Sequence, residues 1–278
     1  MLSMILVLYT LLGLLQGVTE PIPVSSSGHI LILQTLLERF NQSLNIDFET
    51  LAVITNFGSL IAIVIIYFND IVKLFKDFFS YIFNKEERKS SRNGYLYSWK
   101  LVVATIPAGV FGLVATKLDL LDFLEKNIKF IGLTLIITSI FLFLIKDFKG
   151  SKDRDEITFK DAIIIGLYQM ISVIPGISRS GATIVGGMFQ NLKREVAFNF
   201  SFILYIPISI ATSILGVKDL LELSISGSTW VLYIIAAIIA GIFTYICTKW
   251  FAKIVKEGKL IYFSIYCFTV GLLVLILL

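Results

Sequence analysis

Across 278 residues the chain has one histidine, two cysteines and five prolines, and only 16% of its residues are charged. Cys247 and Cys267 both lie in apolar segments without metal-ligand spacing, which excludes a cysteine metal centre and leaves them as packing residues. With His29 alone, one imidazole is available for any proton transfer. Leu2–Leu15 lacks a basic n-region and meets Glu20-Pro21 instead of a small-residue cleavage site, so it is expected to be mature structure and not a signal peptide. Nothing points to nucleic acid: the charged runs NKEERKSSRNG and KDFKGSKDRDE read as solvated loops, and the net charge of +4 is accounted for by one face of a membrane protein.

What is abundant is apolar surface. Hydrophobic residues make up 56% of the chain and the mean hydropathy is +0.87. The runs Leu51–Phe68, Leu101–Ala115, Phe130–Ile145, Phe198–Val217, Trp230–Cys247 and Leu260–Leu278 approach the length that crosses a bilayer. The expected class is an all-α polytopic membrane protein. Asp70–Phe83 sets Ile71, Leu74, Phe75, Phe78, Phe79 and Ile82 at helical spacing opposite Lys73, Lys76 and Asp77, the pattern of an amphipathic helix in the membrane interface.

One segment is written twice, as GLLQGVTEPIPVSSSGHI from Gly13 and GLYQMISVIPGISRSGATI from Gly166. At one constant offset Gly13 meets Gly166, Gln16 meets Gln169, Ser25 meets Ser178, Ser27 meets Ser180 and Gly28 meets Gly181. Neither copy can be a regular spanning helix. Glu20, Pro21, Pro23 and Ser25–Ser27 interrupt the first, and its apolar remainder, Ile30–Leu37, covers only about 12 Å of a hydrocarbon layer about 30 Å thick. Each copy is therefore expected to be a re-entrant helix hairpin, turning at Pro21-Ile22-Pro23 and at Pro175-Gly176.

Three apolar spans follow each hairpin, so the second half must be inverted relative to the first. The expected plan is a first repeat over 1–148 with its hairpin at about 3–38, and a second over 159–278 with its hairpin at about 160–191. Together they give six crossings and a pseudo-two-fold axis in the membrane plane, as one integrated membrane domain. Most of the 24 Lys and Arg fall in Lys73–Lys100, Lys146–Lys160, Lys249–Lys259 and Lys193-Arg194, against Arg39, Lys117, Lys126, Lys129 and Lys218 on the other side. The positive-inside rule makes the rich face cytoplasmic, which opens the first hairpin, and Leu44 after it, to the outside. Gly186-Gly187, Ala236-Ala237 and Ala240-Gly241 are small enough to pack helices within a protomer or between two protomers of a homodimer.

The polar chemistry sits in the hairpins. Ionisable groups at membrane depth are functional candidates by default, which singles out Glu20, His29 and Arg179. Ser25, Ser26 and Ser27 with Gly28 open one helix, and Ser178, Ser180 and Thr183 open the other. A helix start has free amides and a positive dipole end that suit phosphate, and Arg179 adds a planar fork. Gln16, Gln169 and Gly176 complete the expected phosphate or substrate contacts. Two schemes of phosphoryl transfer stay open: Ser26 attacks with His29 as base and Glu20 as orienter, or His29 attacks with Ser26 as a binding residue; Arg179 stabilises phosphoryl charge in either.

The pairing of QGVTEPIPVSSSGH with PGISRSGAT resembles the bacterial undecaprenyl-diphosphate phosphatase family, also known for bacitracin resistance, over essentially the whole chain. The resemblance implies removal of the terminal phosphate of a C55 polyprenyl diphosphate in the bacterial plasma membrane, regenerating the lipid carrier of cell-wall synthesis. It implies catalytic roles for Glu20, Ser26, His29 and Arg179, and a divalent cation, Mg2+ or Ca2+, with Glu20 the best protein ligand. Two positions depart from the family pattern. Gln16 stands where some members have a second carboxylate, leaving the cation more to substrate oxygens, and Pro21 replaces an aromatic. Inverted repeats with broken helices also build secondary transporters, so a transporter or flippase of a polyprenyl phosphate or other anion is the alternative. Glu20 and His29 face Val173 and Ala182 at the repeat offset, and acid-base groups in one copy only favour the phosphatase.

Overall fold

The computed structural model describes residues 2–40, 46–222 and 225–278, so Leu44 lies outside the described residues. Helices α1 (Leu2–Thr19) and α2 (Ser26–Phe40) form the first broken pair. Then come α3 (Phe48–Ile66), α4 (Phe68–Phe83), α5 (Arg88–Lys117), the short α6 (Leu120–Glu125) and α7 (Ile128–Leu144). The second broken pair is α8 (Phe159–Ile171) and α9 (Arg179–Phe189), followed by α10 (Arg194–Glu222), α11 (Gly227–Glu257) and α12 (Ile261–Leu277). Among the described residues the only strand-like pairing is one bridge between Lys152 and Leu192.

Among the described residues four helices are long and apolar enough to cross a membrane: α3, α5, α10 as far as Gly216, and α11. The other two expected spans, α7 and α12, have 17 residues each, about 25 Å of helix. Along the outer side of α11, Val231, Ile234, Ile238, Ile242 and Ile246 are all exposed at helical spacing, a stripe that only hydrocarbon would cover at low cost. The core sits around α9, whose Ile184, Val185 and Met188 are buried among Leu142 of α7 and Phe200 and Leu204 of α10.

Helix directions follow from contacts at both ends. Tyr67, which caps the end of α3, reaches Asn199 of α10, while Asn56 of α3 reaches Tyr205, so α3 and α10 run antiparallel. Gly132 and Gly271 abut each other while Ser139 bonds Ser264, so α7 and α12 are antiparallel too. Gly13 of α1 lies against the backbone of Ala236 in α11, as its counterpart Gly166 in α8 lies against Ala104 in α5. Gly58 of α3 meets Ala237 and Gly241. Gly186 meets Tyr168, and Gly187 meets Ala197. The small residues thus pack helices within this chain, where absent side chains let backbones approach.

Two charged segments expected as solvated loops are structured. Of NKEERKSSRNG only the first residues turn; α5 begins at Arg88, and the Ser90 and Ser91 hydroxyls bond back to the Glu87 carbonyl. In KDFKGSKDRDE, residues Arg154–Glu156 form a capped 3-10 turn, and Arg154 lies 4.1 Å over the Tyr97 ring while pairing with Asp70 at 3.4 Å. The amphipathic segment forms α4 as the pattern predicts, with Leu74 buried and Phe75, Phe79 and Phe83 exposed.

Candidate active site

Each broken pair turns over a few residues and restarts under a serine. Ser178 caps α9, its hydroxyl accepting from the Gly181 amide at 3.1 Å, and Ser25 does the same for Gly28 at 3.2 Å. Ser25 Oγ lies 3.3 Å from Ser27 Oγ, and Ser178 Oγ lies 3.3 Å from Ser180 Oγ, so the two copies share a local hydrogen-bond pattern. The turns also meet each other. Gly28 faces the Gly176 backbone and Gly181 faces Pro23, with room in each case for a Cβ only at 3.3 Å. Thr138 of α7 staples the second turn, accepting from the Ser178 amide at 3.1 Å and donating to the Gly176 carbonyl at 3.4 Å.

This convergence brings Glu20 and Arg179 together. Arg179 Nη2 donates to Glu20 Oε1 at 2.5 Å, while Glu20 Oε2 accepts from Ser26 Oγ at 2.5 Å and from Gln16 Nε2 at 3.0 Å. The carboxylate and guanidinium keep 11% and 20% side-chain exposure, which leaves the pair reachable from one side, where Ser26 is half-buried and Ser27 exposed. The Arg179 guanidinium also lies 3.7 Å above the ring of Tyr205, whose hydroxyl bonds Asn56 at 2.9 Å.

His29 is arranged differently from the serine-histidine pair that the spacing suggested. Its Nδ1 lies 2.8 Å from the Ser25 carbonyl and its Nε2 2.8 Å from the Tyr266 hydroxyl, so the group bonded to Ser26 is Glu20. The backbone explains this: Ser25 has φ 69°, a left-handed conformation uncommon for serine, and its carbonyl accepts both the His29 amide and the ring.

The remaining expected residues divide. Gly28, Gly176, Ser178 and Ser180 line the meeting of the turns. Thr183 places its hydroxyl on the Arg179 carbonyl and on Ser201 Oγ, which ties α9 to α10. Gln169 is buried, and its amide makes no hydrogen bond among the described residues. Its counterpart Gln16 holds Glu20; Val173, at the matching place, cannot accept. Tyr205 touches Arg179 and Tyr266 touches His29, but neither carried a signal in the sequence, since each is one aromatic within a long apolar helix.

Among the described residues no group of three or more His, Cys, Asp or Glu side chains stands ready to hold a metal ion. The site's donors are one carboxylate, one amide and hydroxyls. Such hard oxygens suit a magnesium- or calcium-like ion that draws the rest of its shell from a phosphate. A cavity of about 960 Å³ lies elsewhere, on the outer side of α3 and α11, lined by residues such as Phe57, Ile61, Ile238 and Ile242. Its lining has no carboxylate, imidazole or cationic group, so the chemistry belongs to the hairpins.

Residues 9–273 match the family model described as bacitracin resistance protein BacA. The chain is 44% identical over 270 residues to undecaprenyl-diphosphatase 2 of Bacillus thuringiensis (strain Al Hakam), covering 97% of both chains. It is 44% identical over 273 residues to undecaprenyl-diphosphatase 1 of Bacillus licheniformis, covering 98% of both. To the undecaprenyl-diphosphatase of Oceanobacillus iheyensis it is 41% identical over 271 residues, 97% of this chain and 96% of the relative. With the match running almost end to end, the chain belongs to the bacitracin resistance protein BacA family.

Proposed function

We infer that the chain is an integral membrane phosphatase that hydrolyses undecaprenyl diphosphate to undecaprenyl phosphate and inorganic phosphate, recycling the lipid carrier of cell-wall synthesis. The family and the names of its relatives supply the reaction. The observation that carries it to these residues is the ion pair between the two turns, with a serine hydroxyl on the carboxylate's other oxygen. Arg179 has five N–H donors, so it can keep Glu20 and still grip the terminal phosphate.

In this reading Ser26 Oγ attacks the terminal phosphorus and its proton passes to Glu20 Oε2, already in hydrogen-bond contact. The bond from phosphorus to the bridging oxygen breaks, and its electron pair leaves on undecaprenyl phosphate. Water then cleaves the phosphoserine: its hydroxyl oxygen and proton leave with inorganic phosphate, and the serine oxygen takes back the proton from Glu20, restoring the hydroxyl and the carboxylate. His29 as nucleophile would first have to give up Tyr266, whereas Ser26 needs no rearrangement. Glu20 and Gln16 would hold the divalent cation, which when bound supplies neutralisation of phosphate charge. Gly28, Ser25, Ser27, Ser178 and Ser180 would meet phosphate oxygens near the two helix starts.

The fold is read as two inverted repeats, each a re-entrant hairpin with three spans, in the bacterial cell membrane with the site open to the outside. Support comes from the antiparallel pairs of matching helices, α3 with α10 and α7 with α12, and from the reciprocal contacts of the two turns. Phosphate release from undecaprenyl diphosphate by the purified protein in detergent tests the activity. Transfer of polyprenyl phosphate between leaflets of proteoliposomes without phosphate release would turn the reading to the transporter.

A further inference from the structure

His29 makes two ring hydrogen bonds, and together they settle where its proton sits. A carbonyl oxygen only accepts, so Nδ1, 2.8 Å from the Ser25 carbonyl, carries the hydrogen. In the neutral ring Nε2 is then a bare lone pair that accepts from the Tyr266 hydroxyl at 2.8 Å. Glu20 and Arg179 already neutralise each other, so an imidazolium here would add an uncompensated charge at membrane depth. The Tyr266 ring lies 7° from parallel to the imidazole with centroids 5.6 Å apart, a contact that phenylalanine would keep. The hydroxyl alone is what Nε2 sees.

We propose that Tyr266 is the positioning residue of this site: with Nδ1–H held by the Ser25 carbonyl, the Tyr266 hydroxyl donates from α12 to the bare Nε2 and keeps the ring engaged away from Ser26. The effect on turnover rests on the phosphatase reading; the tautomer does not. Because His29 is the only histidine, 15N-histidine labelling gives one imidazole to observe. Wild-type protein in detergent should show a protonated Nδ1 and a bare Nε2. Tyr266→Phe should keep the Nδ1–H tautomer, held by the Ser25 carbonyl, but shift the Nε2 resonance to that of a nitrogen without its donor; it should lower kcat up to about tenfold, the scale of one neutral hydrogen bond, as the released ring turns toward Ser26 and competes with Glu20 for its hydroxyl, with KM within about twofold. Tyr262→Phe, on the same helix and 63% exposed, is the control and should change neither. A protonated Nε2 in the wild type, a spectrum unaltered by Tyr266→Phe, or an unaltered kcat with a shifted spectrum each overturns the proposal. If the wild type releases no phosphate, the phosphatase reading fails and the Nε2 resonance of wild type against Tyr266→Phe alone decides the role of Tyr266.

Discussion

Glu20 accepts from Gln16, Ser26 and Arg179 at once, so one substitution there removes a base, an ion-pair partner and the anchor of a serine. Glu20→Gln is expected to lower turnover by about 100-fold or more while the protein still inserts and purifies, the scale of losing a general base or a key charge. Steady-state phosphate release from undecaprenyl diphosphate checks it. Ser26→Ala separates the two nucleophile schemes: with serine attacking, residual turnover vanishes, because a methyl group cannot attack phosphorus. Measurable turnover in Ser26→Ala, with acid-labile phosphate trapped on His29 by rapid quench, would move the nucleophile to the imidazole. The ionisable residues were legible in the sequence because charge within an apolar run is conspicuous. Tyr205 and Tyr266 were not, since their contacts span long separations and tyrosine in a membrane helix has an ordinary packing role. The bond of the Thr183 hydroxyl to Ser201, from its own helix to α10, was likewise not legible from its place near a helix start.

The turns depend on backbone conformations that the motifs encode only in part. Gly176 has φ 84°, and a Cβ there would collide with the Thr134 hydroxyl. Gly176→Ala should cost about 1–3 kcal/mol for the left-handed backbone alone, read as a lower thermal midpoint in detergent. Adding Thr134→Ala should recover the collision but not the backbone strain, so the double variant should fall between the single variant and the wild type. Full recovery would show that the backbone conformation contributes nothing. At the start of α8, burial raises the Asp161 carboxyl, but hydrogen bonds from Thr158 and Lys152 outweigh it and hold it below the usual value of 3.8. A depressed folded value stabilises above 3.8 and is lost as pH falls through the folded value. Asp161→Ala should therefore lower the thermal midpoint at pH 7 and converge with the wild type in acid. The restarts at Ser26 and Arg179 were readable from the repeated serine-glycine pattern to within one residue. The start of α5 at Arg88 was not, because a charged run reads as loop until its packing against α4 is known, where Asp77 lies against Gly94.

Whole-molecule topology rests on charge asymmetry as well as on the repeat, and the two can be tested apart. The antiparallel pairing of α3 with α10 and of α7 with α12 is what a two-fold axis in the membrane plane would produce, and it is independent of which face is cytoplasmic. Sidedness comes from the basic segments alone. Lys89 and Ser151 lie in the basic segments on one face, Lys129 at the opposite ends of the helices, at the start of α7. In a background lacking Cys247 and Cys267, Lys129→Cys should react with an impermeant thiol reagent in intact cells. Lys89→Cys and Ser151→Cys should react only after permeabilisation. All three positions are exposed, so burial does not decide the labelling. The reverse pattern would leave the helix packing intact and invert the molecule in the membrane, so that the Glu20–Arg179 site would take its lipid diphosphate from the cytoplasmic leaflet.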